Sequence, residues 1–184
     1  SEEKRTQEQL RESETWYRTL FETTGAATMI LEEDTTISLV NREFVHQFGY
    51  TREETENRKS WTEFIAPEDL DRMKEYHRLR RIDPEGPPKN YEFRFISNTG
   101  ETRDVYLTVD LIPGTRKSIA SLVDITELRR ADQTLKLRGQ ELENKTLELE
   151  ELNAALRVLL KRREEDRNEL EEKRFTQSDF AHAV

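Results

Sequence analysis

The chain has 184 residues and a formal net charge of −9, and its charged residues (38 %) outnumber its hydrophobic residues (33 %). This composition is too polar for one compact globule of that length, and it indicates one ordinary domain joined to a long solvated helix of which only one seam is apolar. The chain has no cysteine, which excludes disulfides, thiolate chemistry and Cys-ligated zinc or iron–sulfur sites, and no apolar run approaches the roughly 18 residues of a membrane span.

The same composition narrows the function classes. The absence of cysteine suits a reducing cytoplasm, where we place the protein. Lysine and arginine form no basic patch, which argues against direct contact with nucleic acid. Paired acids are common, but none adjoins a plausible nucleophile or a phosphate-binding glycine loop, so we predict no catalysis by these residues.

The first 24 residues predict an amphipathic helix. An apolar stripe runs along it at Leu10, Trp16, Tyr17, Leu20 and Phe21. Two short apolar segments follow, on either side of the turn signal Glu32-Glu33-Asp34. They predict a hairpin of strands over 27–31 and 37–40.

Helix start signals fill the next part of the chain. Asn41 is a good N-cap for a helix that Gly49 ends. Thr51 and Glu54 have the spacing of a capping box, and Pro67 suits the first position of a third helix.

Segments 91–95 and 105–111 alternate apolar and polar residues, and 118–124 is a further predicted strand; short Gly-containing turns separate the three segments. This period of two predicts an antiparallel meander with one buried face. Helices grouped between two blocks of strands predict an α+β domain with helices on one face of a sheet.

The order of these elements, together with several short motifs, resembles a PAS domain over residues 12–127. The motifs are Leu20-Phe21-Glu22, Asn41 with Phe48-Gly49-Tyr50, Trp61 to Asp69 (WTEFIAPED), Tyr91 to Arg94 (YEFR) and Asp124 to Glu127 (DITE). The resemblance implies a five-stranded antiparallel sheet of order 2-1-5-4-3, with helices enclosing a cavity against one face. The family often has glycine where this chain has Asn57 or Arg58.

PAS domains bind haem, flavin or small metabolites in that cavity, or bind nothing, and the cofactor of this chain stays open among these. A candidate pocket consists of ten apolar residues, which could equally form a filled core: Met29, Leu31, Phe44, Phe64, Ile65, Met73, Phe93, Phe95, Leu107 and Leu122. Photochemistry of the LOV kind needs a cysteine and is excluded. His77 lies where some haem-binding members place their iron ligand, but charged neighbours favour an exposed helical histidine, and we predict no metal site.

Leucine recurs every seven residues in the last third of the chain, which predicts a parallel coiled-coil homodimer over 126–174. The seam consists of Leu128, Leu135, Leu142, Leu149 and Leu156, with Leu152 and Leu159 at the second apolar position of the heptad. Asp124 as N-cap and Glu127 three residues later would start this helix, and with Thr126 they form the predicted signal-transmission junction.

These patterns divide the chain into an N-terminal helix (1–24), a PAS sensor domain (25–125), a signalling coiled coil (126–174) and a tail or the start of an output domain (175–184). We therefore expect a non-catalytic sensory and dimerisation module that passes a signal to an output domain absent from this chain. The alternative is a ligand-free dimerisation or protein-interaction adaptor.

Two output domains remain open. Residues 155–172 resemble the linker of bacterial regulators that join a PAS domain to a LuxR-type helix-turn-helix. Residues 178–184 resemble instead the approach to the phosphoacceptor helix of a sensor histidine kinase, in which case His182 would not be the phosphorylated residue.

Overall fold

A computed structural model describes residues 2–181 of the chain, with side chains as far as residue 177. The chain divides into two compact units, Ser1–Arg130 and Ala131–Val184. In chain order the elements are α1 (Glu2–Thr23), β1 (Ala27–Leu31), β2 (Ile37–Val40), α2 (Arg42–Phe48), α3 (Arg52–Thr55), a 3₁₀ turn (Trp61–Phe64), α4 (Pro67–Arg80), β3 (Asn90–Ile96), β4 (Thr102–Leu111), β5 (Ser118–Asp124) and α5 (Thr126–Ala181).

The five strands form one antiparallel sheet of order β2-β1-β5-β4-β3, which confirms the predicted fold class and strand order. The alternation seen in the sequence sets the two faces, because successive side chains of a strand point to opposite sides. In β4, Val105, Leu107 and Val109 are buried, whereas Tyr106 between them is exposed. The buried face carries the core, and α2, α3, the 3₁₀ turn and α4 come between β2 and β3 in the chain.

The predicted signals at the two ends of α2 are confirmed. The Asn41 side chain accepts a hydrogen bond from the amide of Phe44, and Gly49 ends α2 in the left-handed conformation at φ 77°. Asn57, where the family often has glycine, also has a positive φ, of 57°. Asparagine tolerates this conformation better than most residues, which explains how the chain makes the turn without glycine.

A full capping box occurs at a position that the sequence analysis did not identify. The Ser60 side chain accepts from the backbone at the start of the 3₁₀ turn, and the Glu63 side chain accepts from the Ser60 amide. At the predicted position, Thr51 accepts from the Glu54 amide. Ser60 and its partner therefore fix the turn that carries Trp61 into the core.

The core has an aromatic end. Phe44, Phe48, Phe64 and Phe95 are each buried and lie with ring centroids 4.1–6.3 Å apart. Such pairs contribute about 0.5–1.5 kcal/mol each beyond the burial of their area. They fix α2 and the 3₁₀ turn against β3.

Asn41 ties the start of the domain together. It is fully buried, and its Oδ1 accepts from the amides of Thr28 (2.9 Å) and Phe44 (3.0 Å). Its Nδ2 donates to the carbonyls of Phe21 (3.0 Å) and Ala26 (2.9 Å) and lies 3.1 Å from the Thr24 hydroxyl. One side chain thus connects the end of α1, β1 and the start of α2.

The last helix, α5, is 56 residues long and continues past residue 174, the predicted end of the coil, to Ala181. An α-helix of this length spans roughly 84 Å. Gly139 remains helical within it. The prediction about His182 falls outside the described residues. Across residues 2–181, no helix is both long and apolar enough to cross a membrane.

Candidate ligand cavity and signalling junction

A small cavity of ≈ 30 Å³ lies in the core between the sheet, the 3₁₀ turn and α4. Seven of the ten predicted pocket residues line it, namely Met29, Leu31, Ile65, Met73, Phe93, Phe95 and Leu107. The structure thus brings together most of the set that the sequence suggested.

Phe44, Phe64 and Leu122 are buried but do not line the cavity. The two phenylalanines pack in the aromatic end of the core, 6.2 Å apart between ring centroids. Leu122 lies on β5, paired with Ala27 and Leu107 across the sheet. These three residues therefore belong to the filled core, which is the alternative that the sequence left open for the set.

The cavity volume decides which ligands fit the chain as it stands. Small-molecule sites usually measure about 300–1,000 Å³, whereas a water needs roughly 10–15 Å³. At ≈ 30 Å³ the cavity has room for a water or a group of a few atoms, and neither a haem nor a flavin fits without displacing core side chains.

Six further residues line the cavity, which are Trp61, His77, Arg80, Tyr91, Val109 and Ala120. Of these, the sequence pointed only to His77, as a weak haem-ligand candidate. A usable signal existed in α4, where Met73, His77 and Arg80 follow the spacing i, i+4, i+7 of one helix face. The residues between them are mostly charged, so the local pattern indicated a solvated helix and obscured this spacing.

The prediction that His77 is an exposed helical histidine is wrong. The ring is half-buried, its centroid lies 5.3 Å from that of Trp61, and its Nε2 lies 3.1 Å from the Glu33 carbonyl oxygen. A carbonyl only accepts, so Nε2 carries the proton and has no lone pair for iron. Burial lowers the pKa of His77 to about 4, which keeps the ring neutral near pH 7.

Arg80 is the most unusual residue of the cavity, because its side chain is charged and only 1 % exposed. Its two Nη atoms donate to the carbonyls of Tyr76 (3.4 Å) and Pro88 (2.5 Å). Its Nε is buried without a hydrogen-bond partner, and so is Nε1 of Trp61. No carboxylate of the described residues lies within ion-pair distance of Arg80.

Tyr91 closes the cavity from β3. The Arg72 guanidinium lies 5.5 Å from its ring centroid, and the Tyr76 ring meets it edge-on at 5.1 Å. Burial raises the pKa of the Tyr91 hydroxyl, an effect that the nearby Arg80 opposes. The hydroxyl is therefore a neutral group beside a cation.

The predicted junction residues Asp124 and Thr126 come together where β5 becomes α5. Asp124 Oδ1 accepts from the Thr126 amide (3.0 Å) and hydroxyl (2.6 Å), and the Thr126 Oγ1 accepts from the Asp104 amide (3.0 Å). The Ile125 amide donates to the Asp104 carbonyl at 2.8 Å. Glu127 lies exposed in the first turn, where a negative charge is favourable beside the helix dipole.

Two arginines extend the junction across the sheet. Arg103 on β4 pairs with Asp124 at 3.3 Å and donates to the Gln47 carbonyl at 2.7 Å. Arg129, in the first turns of α5, pairs with Asp104 at 3.4 Å and with Glu92. The start of the long helix is thus held by side chains of three neighbouring strands.

The predicted seam leucines are all exposed in the single chain, by 47–69 % of their surface. They are Leu128, Leu135, Leu142, Leu149, Leu152, Leu156 and Leu159. No group of three or more His, Asp or Glu side chains within the described part of the chain could hold a metal ion.

Comparisons with known proteins agree with this architecture. Residues 37–123 match the family model described as the PAS fold. No curated protein matches the chain significantly. The PAS domain of an HTR-like protein from Haloarcula marismortui is 24 % identical, with a TM-score of 0.52 over 66 % of this chain and 99 % of that one.

Two further crystal structures are similar. A domain of a sensory box sensor histidine kinase/response regulator from Geobacter sulfurreducens is 23 % identical, with a TM-score of 0.52 over 62 % of this chain and 96 % of that one. A PAS domain from Colwellia psychrerythraea is 14 % identical, with a TM-score of 0.54 over 61 % and 97 %. The sheet order, the helices on one face and the family match together show that this chain contains a PAS domain.

Proposed function

We propose that the chain is a sensory module that pairs with a second copy and passes a change in its PAS core, through the junction at Asp124 and Thr126, to a parallel coiled coil. The described residues act by binding and conformational change, not by catalysis, and the protein works in the cytoplasm. The observation that carries this proposal is the run of exposed leucines on a helix whose first turn is bonded to the sheet.

The leucine seam supports pairing because a single helix cannot cover it. Each of these side chains, if fully buried, contributes about 1.5–3 kcal/mol relative to exposure. Leu149, Leu152, Leu156 and Leu159 form two complete layers in succession, so we expect the tightest contact there. The segment near Gly139 has polar residues at the second heptad position and forms the looser part.

A second apolar surface would face the same partner. Leu39, Tyr106, Ile119 and Val123 are exposed on the outer face of the sheet, opposite the cavity. The apolar stripe of α1, including Tyr17 and Leu20, is also exposed and lines a groove with that face. Apolar residues grouped along one groove indicate an interaction surface more strongly than apolar residues scattered singly.

The junction supports transmission because its bonds connect the start of α5 with strands whose other face lines the cavity. Phe93 and Leu107 line the cavity from β3 and β4, and Glu92 and Asp104 of the same strands bond Arg129. A shift of either strand would therefore reach the first turns of the helix directly.

The output domain follows from resemblance alone. Among the similar solved structures is a domain of a sensor histidine kinase/response regulator, which favours the kinase output over the LuxR-type regulator for this chain. In the kinase the coil would position the catalytic domain against its histidine, whereas in the regulator it would set the spacing of two DNA-binding domains.

A ligand-free adaptor is the second candidate function, and the small volume of the cavity favours it. In that case the PAS core is a rigid dimerisation platform. The two candidates differ in whether any small molecule changes the pairing of the coil.

Disulfide crosslinking tests the pairing on a chain that has no cysteine of its own. We expect Leu149→Cys and Leu156→Cys to crosslink each to its own copy, because equal positions of a parallel seam face each other. Ala154→Cys, on the opposite helix face, is the matched control and should crosslink poorly. A monomer in light scattering at micromolar concentration, or equal crosslinking at all three positions, would refute the proposal.

A further inference from the structure

We propose that the cavity binds a small organic monoanion whose carboxylate pairs with Arg80 and whose short aliphatic body lies between Met29 and Met73. This inference rests on the proposed sensory function and names the ligand class of that same site. It starts from a buried cation that the chain does not neutralise.

Burial of a guanidinium is costly unless a charged or fully hydrogen-bonded partner compensates it. Arg80 is almost completely buried, and its partners, two backbone carbonyls and the Tyr91 hydroxyl, are all neutral. Lys89 holds the carboxylate of Asp110 at 3.0 Å, while His77 is neutral because burial keeps its pKa at about 4. Asp110 attracts Arg80 only beyond ion-pair distance, so among the described residues no carboxylate contacts the buried guanidinium.

The unpaired polar atoms of the cavity are all of one kind. Nε of Arg80 and Nε1 of Trp61 are buried donors without acceptors, and both residues line the same cavity. Native proteins leave few buried polar groups unpaired. An ionised carboxylate offers these donors two acceptor oxygens and a negative charge, whereas an alcohol offers one neutral acceptor and an ammonium offers none.

The rest of the lining sets the body of the ligand. Beyond the arginine, the walls are largely aliphatic and aromatic, which excludes polyhydroxylated or multiply charged anions. The chain has only two methionines, Met29 and Met73, and both line the cavity. Unbranched thioether side chains change rotamer easily, so they can enlarge a space of ≈ 30 Å³ for a few carbon atoms.

The test is calorimetric titration of the full chain with acetate, butyrate and hexanoate, with butanamide and 1-butanol as uncharged isosteres. We expect a carboxylate of this series to bind and the isosteres to bind at least about tenfold more weakly, since a charge-assisted hydrogen bond contributes about 1.5–3 kcal/mol. Arg80→Met should lower carboxylate affinity at least about tenfold, and Arg80→Lys should restore part of it.

Arg78→Met is the matched control, because Arg78 lies on α4 but pairs with Glu75 at the surface, and it should bind like the wild type. Trp61→Phe keeps an aromatic ring and removes only the indole donor, which provides a second variant if Arg80→Met does not fold. No carboxylate binding by the wild-type chain, equal binding of the amide, or full affinity in Arg80→Met or Trp61→Phe would overturn the inference. If the crosslinks at Leu149 and Leu156 persist in that event, the proposed pairing survives and only the ligand class is wrong.

Discussion

Replacing Asn41 with alanine removes a side chain that serves three elements at once. The change deletes the N-cap of α2, which costs about 1 kcal/mol. It also leaves the buried amide of Thr28 without its acceptor, at about 1–3 kcal/mol. The carbonyls of Phe21 and Ala26 lose a donor as well. We therefore expect Asn41→Ala to lower the free energy of unfolding by about 3 kcal/mol.

Urea unfolding of the first unit can be followed by the fluorescence of Trp61, which is buried, in a background where the exposed Trp16 is phenylalanine. The chain has no other tryptophan. With a slope of about 2 kcal/mol per molar urea, the expected loss moves the midpoint down by roughly 1.5 M. The signal reports the PAS domain and not α5.

A graded series separates the contributions. Serine caps a helix as well as asparagine does, so Asn41→Ser should recover about 1 kcal/mol of the loss. Asn98 is exposed and makes one side-chain bond, to the Gly49 carbonyl, so Asn98→Ala should stay within about 0.5 kcal/mol of the wild type. A loss below 1 kcal/mol for Asn41→Ala, or no difference between Ser and Ala, would refute the reasoning from this network.

Three further predictions concern pH, backbone conformation and the junction. Between pH 7 and pH 5, the wild type should lose about 1 kcal/mol more unfolding free energy than His77→Gln in urea titrations, a value already reduced for the partial exposure of the ring. The reason is that the pKa of His77 is about 4 in the folded chain and 6.5 in the unfolded chain, so in this pH range only the unfolded chain gains the proton. The control is His46→Gln, at a side chain that is 82 % exposed, and it should lose as much stability as the wild type. Asn57→Gly should keep or raise the midpoint of thermal unfolding, because glycine adopts the φ of 57° without strain. Asn57→Val should lower the free energy of unfolding by about 1–2 kcal/mol, because a β-branched residue is strained at that φ. Equal midpoints for the glycine and valine variants would contradict a left-handed turn at this position. Thr126→Val removes the hydroxyl that donates to Asp124 and accepts from the Asp104 amide, so it should lower the free energy of unfolding in urea by about 1–2 kcal/mol. Thr126→Ser keeps the hydroxyl and should keep the stability. A valine variant as stable as the serine variant would show that these hydrogen bonds contribute nothing.

The sequence by itself determined the framework of the protein. Alternation in the segments around Phe93 and Val105 defined two strands and their buried face, and Asn41, Gly49 and Pro67 marked helix ends through local chemistry. These signals are local, because a strand period or a cap involves residues a few positions apart. The PAS resemblance then implied a pocket, and seven of its ten candidate residues line the cavity.

The tertiary structure alone decided the chemistry of the cavity. Arg80 and His77 stand among charged residues on α4, and a local pattern assigns such residues to solvent. Arg80 is buried because the carbonyl of Pro88, beyond the end of the helix, folds over its guanidinium, and His77 because Trp61 and the Glu33 carbonyl cover its ring. Burial depends on which distant segments meet, and the volume left between them depends on how their side chains pack, so neither quantity is encoded in any one stretch of the chain.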